Sequence, residues 1–282
     1  MITRQTIADV RAQVQAWHRA GERVAFVPTM GNLHAGHLAL VARARELAER
    51  VVVSIFVNPL QFGEGEDLEA YPRTPEEDRQ QLQAAGADLL FMPSEQEIYP
   101  GGREGVTFVE VPGISGLLCG ASRPGHFRGV ATVVCKLFNI VQPDVACFGQ
   151  KDFQQLAVLR RMVSELNMPL EVVGVPTIRE VDGLAMSSRN GYLNAAERKI
   201  APHLYQTLQA LAERVQRGER DYPALEASGW QMLQQDGLQP DYLVLRRASD
   251  LLPPQGDEAS LVLLAAAYLG RARLIDNLLI EL

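Results

Sequence analysis

Apolar residues recur with two different spacings between residues 1 and 176. Residues 7–17 carry them at helical spacing, which predicts an amphipathic helix that ends at Gly21. Residues 23–28 and 51–57 are short and almost wholly apolar, as is typical of strands that are covered on both faces. The two patterns then alternate, with further helices predicted at 36–50, 75–86, 129–141 and 152–167 and further strands at 88–92, 144–149 and 170–176.

Alternation of strands and helices with short connections predicts an α/β fold, a doubly wound, Rossmann-like parallel sheet, over residues 1–176. Thr74, Pro75 and Glu77 match a capping box with proline at the first helical position, which predicts where the third helix begins. From residue 177 the spacing changes, with helices predicted at 195–217 and 222–235 and strands at 242–246, 260–269 and 272–277. We therefore predict a smaller C-terminal α+β domain over residues 177–282, which would form a lid.

Composition and charge are those of an ordinary globular protein. The 282 residues are 47% hydrophobic and 22% charged, with a formal net charge of -7. An acidic chain disfavours a nucleic-acid surface, because such a surface requires clustered lysine and arginine. The cysteines lack Cys-x-x-Cys spacing, the N-terminus lacks the apolar segment of a signal peptide, and no apolar run is long enough to span a membrane. We expect a cytoplasmic protein that binds neither nucleic acid nor a membrane.

The stretch VPTMGNLHAGH (residues 27–37) follows a predicted buried strand and leads into a predicted helix. His34 and His37 are spaced so that they could share a metal ion, but no third ligand is near them in the sequence. Gly31 and Gly36 favour close approach of the backbone to a ligand, and doubly wound sheets bind anions where a strand leads into a helix. Contact with phosphate is the favoured interpretation; a metal pair and a turn without function are the alternatives.

A second stretch, FGQKDFQQL (residues 148–156), also joins a predicted strand to a predicted helix. Gly149 and Lys151 should therefore face the same end of the sheet as the two histidines. Lysine is a compact charge suited to phosphate, and Asp152 could cap the helix or bind a ribose hydroxyl. The alternative is a solvent-exposed helix cap.

A third stretch, GLAMSSRNGYL (residues 183–193), is predicted to be a loop at the domain junction. Its hydroxyl and guanidinium groups, on Ser187, Ser188 and Arg189, can all donate hydrogen bonds to phosphate oxygens. Serine-rich turns are also common in loops without a ligand, so this stretch is weak evidence by itself.

Two more stretches carry groups suited to an organic acid. Gln61 follows the second predicted strand, and its amide can both donate and accept hydrogen bonds, as a hydroxy acid requires. The segment SRPGHFRGV places Arg123, His126 and Arg128 just before a predicted helix. These three side chains could hold a carboxylate or could form a solvated face.

In combination these stretches resemble one family, the pantoate–β-alanine ligases (pantothenate synthetases). The matching segments are PTMGNLHAGH, FVNPLQF, YPRT, HFRGV, FGQKD-x-QQ and MSSRNGYL, in this order, with ARLIDN near the C-terminus. The His-x-Gly-His element is also similar to that of the wider nucleotidylyltransferase superfamily, which includes the class I aminoacyl-tRNA synthetases. The Ser-Ser-Arg loop looks like the counterpart of their Lys-Met-Ser-Lys-Ser loop.

The resemblance implies ATP as a substrate, with Mg²⁺ bridging its phosphates and no metal ligand supplied directly by the protein. It implies that ATP binds at Met30, Gly31, Asn32, Leu33, His34, Ala35, Gly36, His37, Gly149, Gln150, Lys151, Asp152, Ile178, Met186, Ser187, Ser188 and Arg189. It also implies that pantoate and β-alanine bind at Gln61 and Gln155. The family commonly has Glu where this chain has Gln150, which leaves the role of that position open.

The resemblance further implies a two-step ligation through a pantoyl adenylate, in a homodimer. Of the ATP-binding groups, it implies a catalytic role for His37, His34, Lys151, Ser187, Ser188 and Arg189, with His37 as the catalytic acid. Residues 60–73 and the Ser-Ser-Arg loop are the segments expected to move and cover the intermediate.

Two alternative functions stay open. One is a nucleotidyl transferase that stops after transferring AMP or CMP, and the other is a nucleotide-binding module without catalysis. An enzyme that charges RNA is disfavoured by the acidic net charge.

Overall fold

The computed structural model describes residues 1–256 and 258–282. A parallel sheet is formed by strands β1 (Ile2–Arg4), β2 (Val24–Thr29), β3 (Arg50–Ile55), β4 (Leu89–Phe91), β5 (Val145–Gly149) and β6 (Glu171–Val175). Its spatial order is β1-β4-β3-β2-β5-β6, and every neighbouring pair is parallel. The predicted doubly wound α/β class is therefore confirmed.

Helices connect and cover these strands. They are α1 (Ile7–Arg19), α2 (Ala35–Leu47), α3 (Pro75–Ala85), α4 (Glu95–Ile98), α5 (Cys119–Ser122), α6 (His126–Val141) and α7 (Phe153–Glu165), with short 3-10 helices at Pro59–Gln61, Ile114–Gly116 and Gln150–Asp152. The central strands are apolar because both of their faces are covered. Ala25 and Val27 of β2 belong to a buried cluster with Val41 of α2, whereas Phe26 points to the opposite face and meets the Phe138 ring of α6.

The chain changes direction at β2. It runs from β2 outward through β3 to β4, and it then returns to place β5 on the other side of β2. Phe26 of β2 consequently has Val52 of β3 on one side and Ala146 of β5 on the other. The carboxyl ends of β2 and β5 form a topological switch point, which is where sheets of this kind bind ligands.

A second, antiparallel sheet comes later in the chain. Its strands are β7 (Gln239–Arg247), β8 (Ser260–Leu269) and β9 (Ala272–Glu281), in the order β7-β8-β9. It is preceded by a 3-10 helix at Ser188–Tyr192 and by α8 (Ala195–Ile200), α9 (His203–Gln216) and α10 (Tyr222–Gln235). Its core joins Leu208 and Leu211 of α9 to Leu263 and Ala265 of β8. This sheet with its helices is the smaller α+β part that the sequence predicts.

Contacts between Cα atoms divide the described chain into two compact units. The first unit contains Met1–Gln150 and Val158–Pro176, and the second contains Lys151–Ala157 and Thr177–Leu282. Each unit has its own buried apolar cluster. A lid role for residues 177–282 stays a prediction.

Four details differ from the sequence prediction. Thr74 makes no capping hydrogen bond to the backbone of α3, because its hydroxyl donates to the Asp78 carboxylate instead. The helix predicted at 195–217 is divided into α8 and α9 at Pro202, which has no N–H to continue the helical hydrogen bonds. Helix α6 begins at His126, before the predicted start, because Gly125 turns the chain at φ 81°. Strand β1 was not predicted, since three partly exposed residues carry no clear period.

Candidate active site

The loop after β2 is held by one buried carboxylate. Asp78 of α3 is 1% exposed, and its Oδ2 and Oδ1 accept hydrogen bonds from the backbone N–H groups of Asn32 (2.9 Å) and Leu33 (2.8 Å). Gly31 precedes them at φ +84°, and a Cβ there would lie 3.0 Å from both Asp78 Oδ2 and Ile55 Cγ2. Glycine is needed at this position for its positive φ and for the close approach to Asp78.

The two histidines form a capping box at the N-terminus of α2. His34 is the N-cap, and its Nδ1 accepts a hydrogen bond from the N–H of Gly36 at 3.1 Å. His37 is the third helical residue, and its Nδ1 accepts from the N–H of His34 at 3.3 Å. The ring centroids lie 4.1 Å apart, with an interplanar angle of 43°. Two imidazoles thus perform the work that serine and glutamate usually perform at a helix start.

This arrangement assigns the same tautomer to both rings. A neutral imidazole nitrogen that accepts a hydrogen bond carries no proton, so the ring proton of each lies on Nε2. Both rings lie at the positive end of the α2 dipole, which favours an anion. Residues 1–256 and 258–282 contain no group of three or more His, Cys, Asp and Glu side chains placed to hold a metal ion.

Gln61 closes the 3-10 helix that follows β3, and its side chain is fixed from two directions. Its Oε1 accepts from Asn58 Nδ2 at 3.1 Å, and its Nε2 donates to the sulfur of Met30 at 3.1 Å. Asn58 is buried and accepts in turn from the Tyr99 hydroxyl at 2.8 Å. Burial, with a smaller effect of the Glu95 charge, raises the pKa of Tyr99 far above its usual range, so the phenol stays a donor. Met30 and Gln61, predicted in separate motifs, are therefore in contact.

The Gln61 backbone is also fixed, by the segment that contains Arg123, His126 and Arg128. Helix α6 approaches so closely that a Cβ on Gly129 would clash with the carbonyl oxygen of Leu60. His126 Nδ1 lies 2.8 Å from the Gln61 carbonyl oxygen, and Arg123 Nη2 donates to that oxygen at 3.3 Å. His126 and Arg123 are thus engaged in positioning the loop, which the sequence did not decide.

Arg123 and Arg128 have different partners. Arg123 forms a two-point ion pair with Glu66, with nitrogen-to-oxygen distances of 2.8 and 2.5 Å. Burial alone would raise the pKa of Glu66, but the hydrogen bonds and positive charge of Arg123 outweigh it and lower the pKa. Arg128 lies over the Phe108 ring, 4.6 Å from its centroid. The ion pair ties the loop after Gln61 to the segment that leads into α6.

Gly149 ends β5, and both it and Gln150 belong to the first unit, whereas Lys151 and Asp152 belong to the second. Lys151 Nζ lies 4.0 Å from the Asp152 carboxylate, and the two side chains are 18% and 47% exposed. Gln155 follows in the first turn of α7 and is half-buried. The lysine is therefore shielded from bulk solvent to a much greater extent than the aspartate beside it.

The Ser-Ser-Arg segment begins the 3-10 helix at Ser188–Tyr192, and Ser187 is its N-cap. The Ser187 hydroxyl oxygen accepts from the N–H of Arg189 at 3.3 Å, which leaves its O–H to serve as a donor. The segment is joined to Ile178 because the N–H of Met186 donates to the Ile178 carbonyl at 3.0 Å. Ile178 and Met186, predicted separately, thus close a small hairpin.

The predicted site residues fall into two groups, one in each unit. The first unit contains Met30, Gly31, Asn32, Leu33, His34, Ala35, Gly36, His37, Gln61, Gly149 and Gln150, and the second contains Lys151, Asp152, Gln155, Ile178, Met186, Ser187, Ser188 and Arg189. Within the first unit, the fold joins the β2 loop, the start of α2 and Gln61. Within the second, it joins Ile178 to the Ser-Ser-Arg segment.

Asp78 was not identified from the sequence. It lies 46 residues after Asn32, in a helix rich in acidic residues, where an acidic side chain ordinarily faces solvent. The only signal available was its place in the first turn of α3, on the face that also carries the buried Leu82.

Within the described ranges, 1–256 and 258–282, no helix has the length and apolar character to cross a membrane.

Comparison with known proteins places these features in one family. The family model described as pantoate-beta-alanine ligase matches residues 2–279. The pantothenate synthetase of Shewanella sediminis is 59% identical over 278 residues, covering 99% of each chain. That of Pseudomonas fluorescens is 56% identical over 282 residues, covering 100% of this chain and 99% of the relative.

Solved structures give the same result. The pantothenate synthetase of Thermus thermophilus superposes with a TM-score of 0.92 at 50% identity, covering 99% of both chains. The pantoate-beta-alanine ligase of Francisella tularensis, complexed with beta-gamma ATP and beta-alanine, superposes with a TM-score of 0.81 at 33% identity, covering 99% of this chain and 97% of the other. The similarity therefore extends over both units.

Proposed function

This chain belongs to the pantoate–β-alanine ligase family, and we propose that it performs the family's reaction through an enzyme-bound pantoyl adenylate. The reaction joins pantoate to β-alanine to give pantothenate, with ATP as the energy source. Activation is needed because a carboxylate and an amine do not condense in neutral water. The adenylate supplies the activated carbonyl.

The proposed chemistry has two balanced steps. In the first, a carboxylate oxygen of pantoate attacks the α-phosphorus of ATP, and the bond from that phosphorus to the bridging oxygen breaks, releasing pyrophosphate. In the second, the amine of β-alanine attacks the acyl carbon, the bond to the phosphate oxygen breaks, and AMP leaves as the amine loses a proton. Neither step requires a nucleophilic side chain, so the protein's work is positioning and charge stabilisation.

The observation that carries this proposal is the histidine capping box. Two Nε2–H donors, on His34 and His37, are fixed at a helix N-terminus beside the switch point of the sheet. Negative charge grows on the phosphate oxygens during the first step, and each preorganised donor aimed at such charge contributes roughly 3 kcal/mol. His37 is the proposed catalytic acid, with His34 as the second donor.

The remaining phosphate donors are proposed on the second unit. Lys151 would stabilise the phosphates as a point charge, and Ser187, Ser188 and Arg189 would donate to their oxygens. The rest of the nucleotide would lie along Met30, Gly31, Asn32, Leu33, Ala35, Gly36, Gly149, Gln150, Asp152, Ile178 and Met186. The partial shielding of Lys151 supports this role, because a charge acts more strongly where water is restricted.

Gln61 and Gln155 are proposed to bind pantoate, with β-alanine entering beside them. The support is that Gln61 is held on its side chain by Asn58 and on its backbone by His126. A fixed amide can align the pantoate carboxylate with the α-phosphorus, and such alignment lowers the entropic part of the barrier.

Mg²⁺ is proposed to arrive bound to the phosphates of ATP. The resemblance implies no metal ligand supplied directly by the protein, so phosphate and water oxygens would supply its ligands. When bound, the ion would neutralise charge on the β- and γ-phosphates. A homodimer is proposed on the resemblance alone. A cytoplasmic location and the absence of nucleic-acid or membrane partners are proposed on the composition and charge of the sequence. The lid role of residues 177–282 is proposed from the sequence.

Isotope exchange tests the intermediate. Labelled pyrophosphate should enter ATP when pantoate is present and β-alanine is absent, because the first step is then reversible on the enzyme. Addition of β-alanine should convert the trapped adenylate into pantothenate and AMP. If pantothenate forms but no exchange occurs at any pantoate concentration, the adenylate is wrong; if nucleotide remains joined to the organic product, the chain acts as a nucleotidyl transferase.

A further inference from the structure

Strand β9 carries two adjacent buried polar side chains that the proposed reaction does not use. They are Asp276, 4% exposed, and Asn277, 7% exposed, at the end of the ARLIDN segment. Burying polar groups is costly unless each finds a partner, so their hydrogen bonds indicate what they are for. Both side chains reach segments of the second unit that contain proposed ATP-binding residues.

Asn277 holds the backbone of Lys151. Its Nδ2 donates to the Lys151 carbonyl oxygen at 2.8 Å, across 126 residues of sequence. This bond fixes the peptide that follows the lysine. It therefore restrains the backbone from which the lysine side chain extends.

Asp276 holds the hairpin that leads into the Ser-Ser-Arg segment, through Arg179. The guanidinium makes a two-point ion pair with Asp276, at 2.6 and 2.9 Å, and donates to the Gly183 carbonyl at 3.1 Å. Arg179 also lies over the Tyr205 ring, 3.5 Å from its centroid. The Tyr205 ring contacts the face of the guanidinium, and the hydrogen bonds engage its edge, so the Arg179 side chain has little conformational freedom. The hairpin from Ile178 to Met186 is therefore held through this arginine.

The two sets of bonds are connected. Asp276 Oδ1 also accepts from the N–H of Asn277 at 2.8 Å, and Arg179 Nη2 donates to the Asn277 carbonyl at 3.4 Å. One dipeptide of β9 therefore links the Lys151 backbone to the hairpin that precedes Ser187.

We propose that Asp276 and Asn277 are positioning residues for ATP activation, with Asn277 acting through Lys151 and Asp276 acting through Arg179 on the hairpin before Ser187. The proposal rests on the proposed roles of Lys151 and the Ser-Ser-Arg segment in binding phosphate. A purely structural role is the competing explanation. Buried ion pairs are weak contributors to stability compared with apolar packing, which gives a reason to look for another role here.

A double-mutant cycle between Asn277 and Lys151 tests the proposal on the full-length chain. Asn277→Ala should lower kcat about 10-fold and raise the KM for ATP, because the lysine is no longer directed at the phosphates. In a Lys151→Ala background, the same substitution should change kcat by less than about 2-fold, since nothing is left for Asn277 to position. Pyrophosphate exchange in the presence of pantoate is the assay, with folded protein measured by urea unfolding.

The matched control is the Asp241–Arg273 ion pair of the same sheet. Arg273 donates to Asp241 at 3.0 and 2.6 Å, so Asp241→Asn weakens a similar ion pair elsewhere in that sheet. It should leave kcat and the KM for ATP unchanged. The Asp276 branch is tested by Asp276→Asn, which should raise the KM for ATP while Asp241→Asn does not.

Several results would overturn the proposal. They are an undiminished effect of Asn277→Ala in the Lys151→Ala background, an unchanged KM for ATP, or an equal loss in Asp241→Asn. If Asn277→Ala does not fold, Asn277→Leu replaces it, because it removes the donor at nearly the same size without adding a buried charge. A wild-type chain without pantoate-dependent exchange would instead refute the proposed function, and this is measured first.

Discussion

Two parts of the candidate site are held in place by opposite means: the β2 loop with the start of α2 in the first unit, and the Lys151 and Gly183 backbone in the second. In the first unit, side chains accept hydrogen bonds from backbone N–H groups: Asp78 from the β2 loop, and His34 and His37 from the start of α2. In the second unit, side chains donate to backbone carbonyls, as Asn277 does to Lys151 and Arg179 does to Gly183. The first arrangement fixes the rings of His34 and His37 at the start of α2, whereas the second restrains segments next to Lys151 and Arg189.

The histidine capping box and the Arg179–Asp276 ion pair also differ in the distance along the chain between their partners. The histidine capping box spans three residues, whereas the ion pair of Arg179 with Asp276 spans 97. A local cap can form as soon as its helix forms, since its loop-closure cost is small. The second arrangement requires the complete antiparallel sheet, so the two parts of the site should respond differently to substitution.

Breaking the buried ion pair should have the largest effect on stability. Asp276→Ala leaves the Arg179 guanidinium without its carboxylate, and loss of one partner of a buried pair costs about 3–5 kcal/mol. The free energy of unfolding, from urea titration, measures this. Asp241→Ala is the comparison, because its partner Arg273 is shielded from solvent to nearly the same extent as Arg179. The difference in unfolding free energy between the two variants then measures how much the hold on the hairpin contributes to stability. A loss below about 1 kcal/mol in Asp276→Ala would contradict a long-range hold on this segment.

Removing the proposed catalytic donor should cost about 1 kcal/mol of stability, because the His34 N–H loses its acceptor, and should abolish most of the activity. His37→Ala should lower kcat at least about 100-fold, because the developing charge on the phosphate loses a preorganised Nε2–H donor. Steady-state kinetics with saturating ATP and pantoate measure this. His18, a partly exposed histidine of α1 near Asp144, is the control, and His18→Ala should keep wild-type kcat. A change of only about 2-fold in His37→Ala would rule out its proposed role.

Loss of the Asp78 carboxylate, which holds the loop after β2, should lower both the stability and the activity. Asp78→Ala removes the acceptor of the buried Leu33 N–H and of the partly buried Asn32 N–H, which should cost about 2 kcal/mol of stability and lower kcat. The matched variant is Asp88→Ala, since Asp88 accepts from the Val51 N–H at 2.8 Å near the amino end of β3. Urea unfolding should show a loss in both variants, but exchange activity should fall only for Asp78→Ala. Equal activities would mean that the Gly31 loop does not depend on Asp78.

The smallest expected effect depends on pH. Because the pKa of Glu66 is lowered in the folded state, its pairing with Arg123 stabilises the protein above the ordinary glutamate pKa and is lost as the pH falls through the lowered value. Glu66→Gln should thus cost about 1 kcal/mol or less near neutral pH, and the difference from wild type should shrink on acidification. Urea unfolding at a series of pH values measures it. A difference that grows at low pH would have the wrong sign for this ion pair.

Much of the first unit could be predicted from the sequence. Strands such as β2 and β3 are covered on both faces, so their apolar runs identify them directly, and alternation with helices fixes a parallel sheet. The glycines and histidines after β2 predicted an anion site. The structure adds a reason for the three-residue spacing of His34 and His37, which is that their side chains form the capping box of α2. Their role toward ATP stays a prediction.

The residues that hold the site could not be predicted, for a physical reason. The residues next to Asp78 and Asp276 in the sequence do not distinguish them from surface carboxylates. Only the fold brings the two side chains into contact with their partners. Burial of a charged side chain depends on which distant segment supplies the hydrogen bonds, and periodicity contains no information about that. Pro202 was different, since its effect on the helix was visible in the sequence but was outweighed by the apolar period on both sides.

The position of the Asp276–Asn277 dipeptide has a consequence for synthesis. The ribosome makes Lys151 and the hairpin at residues 178–186 long before it makes β9, so these segments emerge without the hydrogen bonds that hold them. A nascent chain that stops before residue 277 would contain every group proposed to contact ATP and would still lack the donor to the Lys151 carbonyl. On the proposed roles, an unfinished chain would therefore be less active than the complete one until the last strand is translated and paired.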